Sequence, residues 1–278
     1  MNPVAKAAWY VEAHLAEPIA LDDIARAACV SRFHLARAFA ASAGTGVLAY
    51  ARARRLTLAA HALAGGAPDI LAVAVQAGYR SHEAFTRAFR EQFGQTPEQV
   101  RALRDTATLD LTEPLKMDEQ LLETVAPPRF VDGVPLLIVG LAQRYAGNTN
   151  GAMPAQWQRF APHIGHVPGQ KGGVAYGVLC NGDDDGSIEY VCGVEVTHFA
   201  AALPAGLSAV RVPAQRYAVF RHDGHIAGIR RTWHTLWVRA VPQAGLTVTD
   251  GPAFERYGET FNPQTGLGDV EIWLPLAA

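Results

Sequence analysis

The sequence predicts two domains, an all-α N-terminal domain built on two helix-turn-helix units and an α+β C-terminal domain of two βαββ repeats. Three observations carry that prediction. The first hundred or so residues are Ala-rich, with apolar residues at helical spacing and short breaks between the runs. Residues 106–129 are polar, contain Pro114, Pro127 and Pro128, and lack a strong period. Beyond Arg129, β-branched runs such as VPLLIVGLAQRY, GVAYGVLCN, IEYVCGVEV and RYAVFRH alternate with Gly-rich turns. The domains accordingly run over 1–108 and 129–278, joined by a linker over 109–128.

Seven short helices fit between the N-terminal breaks, which fall at 17–18, 29–31, 43–46, 65–68, 77–80 and 94–97. In residues 69–93 a first helix carries Ile70, Val73 and Ala74 on one face. Gly78 supplies the positive φ that a tight inter-helix turn favours, and Ser81 is a natural N-cap for the next helix. Phe85, Phe89 and Phe93 then recur at i, i+4 and i+8 as one buried stripe, which turns His82, Glu83, Thr86, Arg87 and Arg90 outward. Residues 21–39 repeat the plan. Leu21, Ile24 and Ala25 form an inner face, Ser31 caps the second helix, and Leu35 and Phe39 anchor it. Arg32, Phe33, His34, Ala36 and Arg37 are left on or near its outer face. Recognition helices read base edges mainly from their N-terminal residues, so two such units suit double-stranded DNA.

Charge supports that division of labour. Residues 1–105 hold 12 Lys and Arg against 9 Asp and Glu, whereas the rest hold 12 against 17. Eleven of the 12 N-terminal cations are Arg, the better residue for bidentate contacts to phosphate or guanine. No run approaches the ~18 uninterrupted apolar residues of a membrane span. The first residues, interrupted by Glu12, His14 and Glu17, do not read as a signal peptide. Cys29, Cys180 and Cys192 are far apart and in no metal-ligand spacing, which predicts buried, reduced thiols in a cytoplasmic protein.

The run I70..VA74...GY79.S81...F85.RAF89...G94.TP97..VR101, preceded by R55L56..A59...L63, resembles the signature of the AraC/XylS family of transcription regulators over residues ~5–104. One departure is Ala28-Cys29, where the family more often has Gly before an aromatic residue. The resemblance implies two recognition helices in successive major grooves, with Arg32, Phe33, His34 and Arg37 serving the first and His82, Glu83, Thr86 and Arg87 the second. Arg52, Arg54 and Arg90 would touch phosphate or nothing.

In the C-terminal half a strand (136–145), a helix (153–163) and two strands (174–180, 188–196) are followed by the same order at 216–222, 225–241, 253–259 and 269–275. The stretches YAVFRHDGHIAGIRRTWHTLW, DGPAFERYGE and DVEIWLPL resemble the GyrI-like effector-binding domain across about 130–276. That resemblance implies a cleft for a lipophilic, often cationic, ligand, with Glu255 as the buried carboxylate. On a strand Glu255 and Tyr257 share one face. A carboxylate among Trp233, Trp237, Tyr176 and Phe130 suits an organic cation through charge pairing and cation–π contact. Tyr176, Tyr217 and Trp233 are candidate walls, Glu195 is the second candidate carboxylate, and a salt bridge to Arg216 or Arg230 is the structural alternative for Glu255.

His163/His166 and His222/His225 lack acidic or Cys partners at metal-ligand spacing, and the Asp cluster at 183–185 reads as a solvated turn. No GxSxG, Walker A or dinucleotide fingerprint occurs. The expectation is therefore a sequence-specific DNA-binding transcription regulator with a small-molecule effector, RNA polymerase as a further partner, and no metal, cofactor, catalytic residue or membrane partner. Two alternatives attach to the C-terminal domain: hydrolysis of a reactive small molecule by a Glu–Tyr pair, or binding of a protein such as a gyrase subunit or polymerase.

Overall fold

The computed structural model describes residues 2–116, 122–146, 152–183 and 186–277, so part of the predicted linker and of the 183–185 turn lies outside the described residues. The chain divides into two compact units, one formed by residues 5–29 and 47–117, the other by residues 2–4, 30–46 and 118–278.

The first unit is helical. Its elements are α1 (Pro3–Ala13) from its third residue on, α2 (Leu21–Ala28), α4 (Val47–Ala64), α5 (Ile70–Gln76), α6 (His82–Phe93) and α7 (Pro97–Leu103). Asp22 and Asp23 sit in the first turn of α2, where carboxylates complement the helix dipole. That helix ends on Cys29, whose φ of 58° is the left-handed conformation glycine adopts at least cost. Cys29 is exposed, against the expectation of a buried thiol, because the cap position points it out of the turn; Cys180 and Cys192 are buried.

Asp69 and Ser81 cap α5 and α6 by accepting from the N–H of Leu71 and Ala84. Gly78 takes φ +85° in the turn between them. Phe85, Phe89 and Phe93 pack edge-on or tilted along one stripe, with centroids 5.5 and 4.7 Å apart. They share a core with Leu56, Leu63, Ile70, Val73 and Val100. A complete capping box between Thr96 and Gln99 starts α7. The polar stretch beyond α7 folds back here: Leu109 joins the core, and the Thr112 N–H donates to Thr57 Oγ1 at 3.0 Å.

Arg54, read from sequence as a phosphate contact or a free side chain, is buried on α4. Its Nε and Nη2 donate to the two carboxylate oxygens of Glu12 at 2.8 and 3.0 Å, and its Nη1 donates to Thr112 O at 2.6 Å. Arg55 holds the chain ahead of α2 through Leu15 O (2.7 Å) and Glu17 O.

The second unit contains α3 (Arg32–Ala43) and an eight-stranded antiparallel sheet, β1 (Arg129–Asp132), β2 (Leu136–Tyr145), β3 (Gln170–Cys180), β4 (Ile188–Val196), β5 (Ser208–Val212), β6 (Arg216–His222), β7 (Ala253–Tyr257) and β8 (Val270–Pro275). Helix α8 (Met153–Phe160) follows β2, and α9 (Ile229–Thr235) continues through a π turn (Leu236–Ala240) into α10 (Val241–Gln243). The sheet order is β1-β6-β8-β7-β3-β4-β2-β5. Each predicted βαββ repeat is present, as β2-α8-β3-β4 and β6-α9-β7-β8, and the repeats meet where β3 pairs with β7. The edge strands β1 and β5, which lie outside the two repeats read in the sequence, are exchanged. The one that precedes the first repeat pairs with β6, and the one that precedes the second pairs with β2.

Candidate ligand site and DNA-reading helices

Register at the seam places the ligand-site residues. Gly177 on β3 faces Glu255 on β7, so the carboxylate rises over a position with no side chain. A Cβ there would lie 2.1 Å from Tyr190 Oη and 2.7 Å from Glu255 Oε2. Three neutral donors fill that space and its surroundings. Trp233 Nε1 donates to Oε1 at 2.7 Å, while the hydroxyls of Tyr190 and Tyr257 donate to Oε2 at 2.7 and 2.8 Å. Trp157 Nε1 in turn donates to the Tyr190 hydroxyl at 2.9 Å.

Glu255 is 5% exposed and, among the described residues, makes no ion pair. Burial raises its pKa above the ordinary carboxylate value, against the lowering effect of the Trp233, Tyr190 and Tyr257 hydrogen bonds. Burial and the adjacent carboxylate push the phenols of Tyr190 and Tyr257 well above their usual range, so both remain donors. Gly177→Ala should cost about 1–3 kcal/mol of stability, because the methyl must displace Tyr190 or Glu255. A thermal melt measures this, and a variant as stable as wild type would show that the seam has room to spare.

Sequence reasoning grouped five residues here, and the structure brings together three of them. Glu255, Tyr257 and Trp233 converge as described. Tyr176 points to the other face of the sheet, where it packs edge-on against Phe254 and shares a core with Tyr217. Glu195 is spent on Lys171 at 2.5 Å. Both side chains lie one residue out of phase with the cavity face, since Gly177 and Cys192 are cross-strand partners in line with Glu255. Phe130 is exposed on the edge strand, beneath Arg216 at 5.7 Å. Neither Arg216 nor Arg230 pairs with Glu255 among the described residues, although Arg230 borders the same cavity. Tyr190 and Trp157 are the residues sequence reasoning missed. Period-2 alternation puts Tyr190 on one face with Cys192 and Val194, but only the register across β3 reveals that this face holds Glu255.

Glu255 opens into a cavity of about 800 Å³ within the second unit. Trp233 and Trp237, stacked at 6.1 Å and 18°, form one side of it. Phe33, Ala36 and Arg37 of α3 form another. The seat of α3 follows from local chemistry. In the π turn the Val241 N–H bonds to Leu236 O, five residues back. The next such bond, to Trp237 O, would need an N–H at residue 242, which is proline. That carbonyl instead accepts from His34 Nε2 at 3.0 Å. His34 is 4% exposed, and burial lowers its pKa, offset in part by the same hydrogen bond. Arg37 lies 4.7 Å over the Phe33 ring, and burial pulls its pKa down to about 10, which leaves it charged at neutral pH.

Of the residues expected to read DNA, Arg32 on α3 is exposed, Phe33 and Arg37 are half-buried, and His34 is buried against Trp237. On α6, Glu83, Arg87 and Arg90 are exposed. His82 is half-buried and contacts Glu98 at 3.1 Å. The Thr86 hydroxyl turns inward, buried without a hydrogen-bond partner among the described residues.

Comparison with known proteins matches residues 126–277 to the family described as the GyrI-like small molecule binding domain, and residues 24–103 to a helix-turn-helix domain. The chain is 29% identical over 275 residues to transcriptional regulator Rob of Salmonella typhimurium, covering 95% of this chain and 92% of that protein. It is 28% identical over 272 residues to the right origin-binding protein of Escherichia coli, covering the same shares. A shorter match, 35% over 94 residues, relates 34% of the chain to 87% of the E. coli regulatory protein SoxS. No helix among the described residues is long and apolar enough to cross a membrane. With its helical N-terminal region and its sheet-rich C-terminal half, the chain belongs to the GyrI-like family and is a DNA-binding transcription regulator of the AraC type.

Proposed function

We propose that this regulator reads a specific DNA site in the cytoplasm with α3 and α6 and is modulated by a small lipophilic cation bound at Glu255. Arg32, Phe33, His34 and Arg37 serve one major groove, and His82, Glu83, Thr86 and Arg87 the next. The DNA-reading part runs over 1–108, the linker over 109–128 and the effector domain over 129–278, and RNA polymerase is the protein partner. The observation that carries the ligand reading is the Glu255 carboxylate. It is buried, opens into a cavity with Trp233 and Trp237 on one side, and among the described residues is bonded by three neutral donors and by no cation. A buried carboxylate so placed favours a positive partner. Exposed Arg87, one turn into a capped helix, supports the DNA reading.

The test begins with DNA enriched from a random pool by the full-length chain. Arg87→Ala should weaken binding to the enriched site by about 1–3 kcal/mol and relax preference at one base pair. Competition binding with single-base variants measures both effects, and unchanged affinity in a folded variant would remove α6 from the interface.

A further inference from the structure

The α3 helix has two uses that draw on the same face. Facing DNA, its outer residues would be Arg32, Phe33 and Arg37. In the structure Phe33 and Arg37 line the cavity that holds Glu255, and His34 is bonded to Trp237 O. Farther along, the helix lies beside Gly182 and Gly186. Ala40 Cβ lies 3.6 Å from where a Cβ on Gly186 would be, and Arg37 borders Gly182 on the same loop. We infer that α3 is a movable wall of the ligand cavity: seated, it completes the site and withholds its reading face from DNA; released, it reads DNA and leaves the cavity open on that side. This rests on the reading of α3 as a DNA-contacting helix.

The physical argument is one of exclusion and linkage. A face set against Trp237, Gly182 and Gly186 has no room for a duplex, whose major groove takes in a whole helix. DNA therefore binds only the released form, and its apparent affinity falls by the fraction released. A cation that pairs with Glu255 and packs on Phe33 and Ala36, clear of the charged Arg37, makes more favourable contacts in the seated form, so it favours that form and opposes DNA binding. The hold on α3 is of a kind that can be broken. It depends on one histidine, which supplies a hydrogen bond that Pro242 cannot and sets its ring 5.3 Å from that of Trp237.

The test locks the helix in its seat. Cysteines at 40 and 186 (Ala40→Cys with Gly186→Cys) have the Cβ separation of a disulfide. The full-length double variant, with the 40–186 bond verified by peptide mapping, is compared oxidised and reduced on the enriched DNA. Oxidation should weaken binding at least tenfold and reductant should restore it. Equal affinity in the two states overturns the inference. Because Gly186 has φ +81° and a Cβ there would lie 2.9 Å from Gly46 Cα, so that the backbone must give, a second variant guards against failure to fold. Pro242→Ala restores an N–H opposite Trp237 O, frees His34, and should tighten DNA binding several-fold; binding no tighter than wild type counts against the seat.

Tetraphenylphosphonium, a hydrophobic monocation too bulky to intercalate, supplies the ligand arm. At saturation it should weaken DNA binding by wild type several-fold and leave Glu255→Gln unaffected. DNA binding unmoved in wild type despite measured uptake of the cation overturns the coupling. A cation that does not bind at all removes the cation reading of Glu255 and leaves the disulfide comparison to decide the movable wall. Failure of wild type to enrich any DNA sequence removes the reading of α3 itself.

Discussion

Glu255→Gln should lower the affinity for a hydrophobic monocation by a hundredfold or more while leaving the fold intact. The change keeps the shape of the side chain and removes one charge. Truncating one partner of a buried charge pair typically costs ~3–5 kcal/mol, which sets the expected loss. The amide remains compatible with its neighbours, because Trp233 can donate to the amide oxygen while the Tyr190 and Tyr257 hydroxyls rotate to accept from its NH₂. Glu195→Gln, which breaks only the Lys171 pair on the other face, should change affinity little. Calorimetric titration of both variants gives the comparison. Equal binding by wild type and Glu255→Gln would show that the charge is not what the cavity recognises.

The same carboxyl gives a pH signature. Its folded-state pKa lies above that of an unfolded Glu, so the folded protein holds the extra proton in the window between the two values. Stability contributed there is full below the unfolded pKa and declines as pH rises through the folded one. Glu255→Gln should lack that decline, and its advantage in thermal midpoint over wild type should grow with pH. Cation affinity should move the opposite way, rising through the same window as the carboxylate forms.

The second large effect concerns the helical unit. Glu12→Ala should cost about 3 kcal/mol, at the lower end of the usual range for breaking a buried pair because Glu12 is 27% exposed. Among the described residues Arg54 would keep only Thr112 O as an acceptor for a buried guanidinium, and the Tyr50 hydroxyl, which donates to Glu12 at 2.6 Å and accepts from the Leu115 N–H at 3.0 Å, would lose an acceptor. Burial raises the Glu12 pKa, but Arg54 and Tyr50 outweigh it and hold the carboxyl below its ordinary value. This contribution is therefore present above the unfolded pKa and lost as pH falls through the folded one. Urea unfolding at neutral and acidic pH measures it. A Glu12→Leu, Arg54→Met double variant that unfolds as readily as Glu12→Ala would show that the loss comes from packing rather than from a stranded charge.

What was legible in the sequence followed from short-range physics. Ser31 and Ser81 cap the helices assigned to them, Gly78 turns left-handed, and the three phenylalanines of α6 point inward, because each depends on neighbours a few residues away. Glu255 and Tyr257 share a face because strands alternate strictly. Residues whose roles depend on register or long-range packing were not legible. Nothing in IEYVCGVEV distinguishes Tyr190, over Gly177, from Glu195 beside Lys171 until β3, β4 and β7 are aligned. Arg54 reads as a surface cation until Glu12, 42 residues earlier, meets it. His34 reads as an outward residue because the free carbonyl it satisfies is created by a proline two hundred residues away.

The exchange of β1 and β5 has a consequence for how the sheet comes apart. Each outer strand is supplied by the stretch of chain that precedes the opposite repeat, and the repeats are joined again at their centre by β3 and β7. Neither half can unravel without stripping a strand from the other, so the sheet behaves as a buckle fastened at three points rather than as two hinged leaves. Partial opening at one end is disfavoured, and loss of structure is expected to be all-or-none across the sheet. Glu255 sits at the middle fastening. A molecule gripped there strengthens the clasp that holds the whole sheet shut, and its grip is felt at both outer edges, where no ligand reaches.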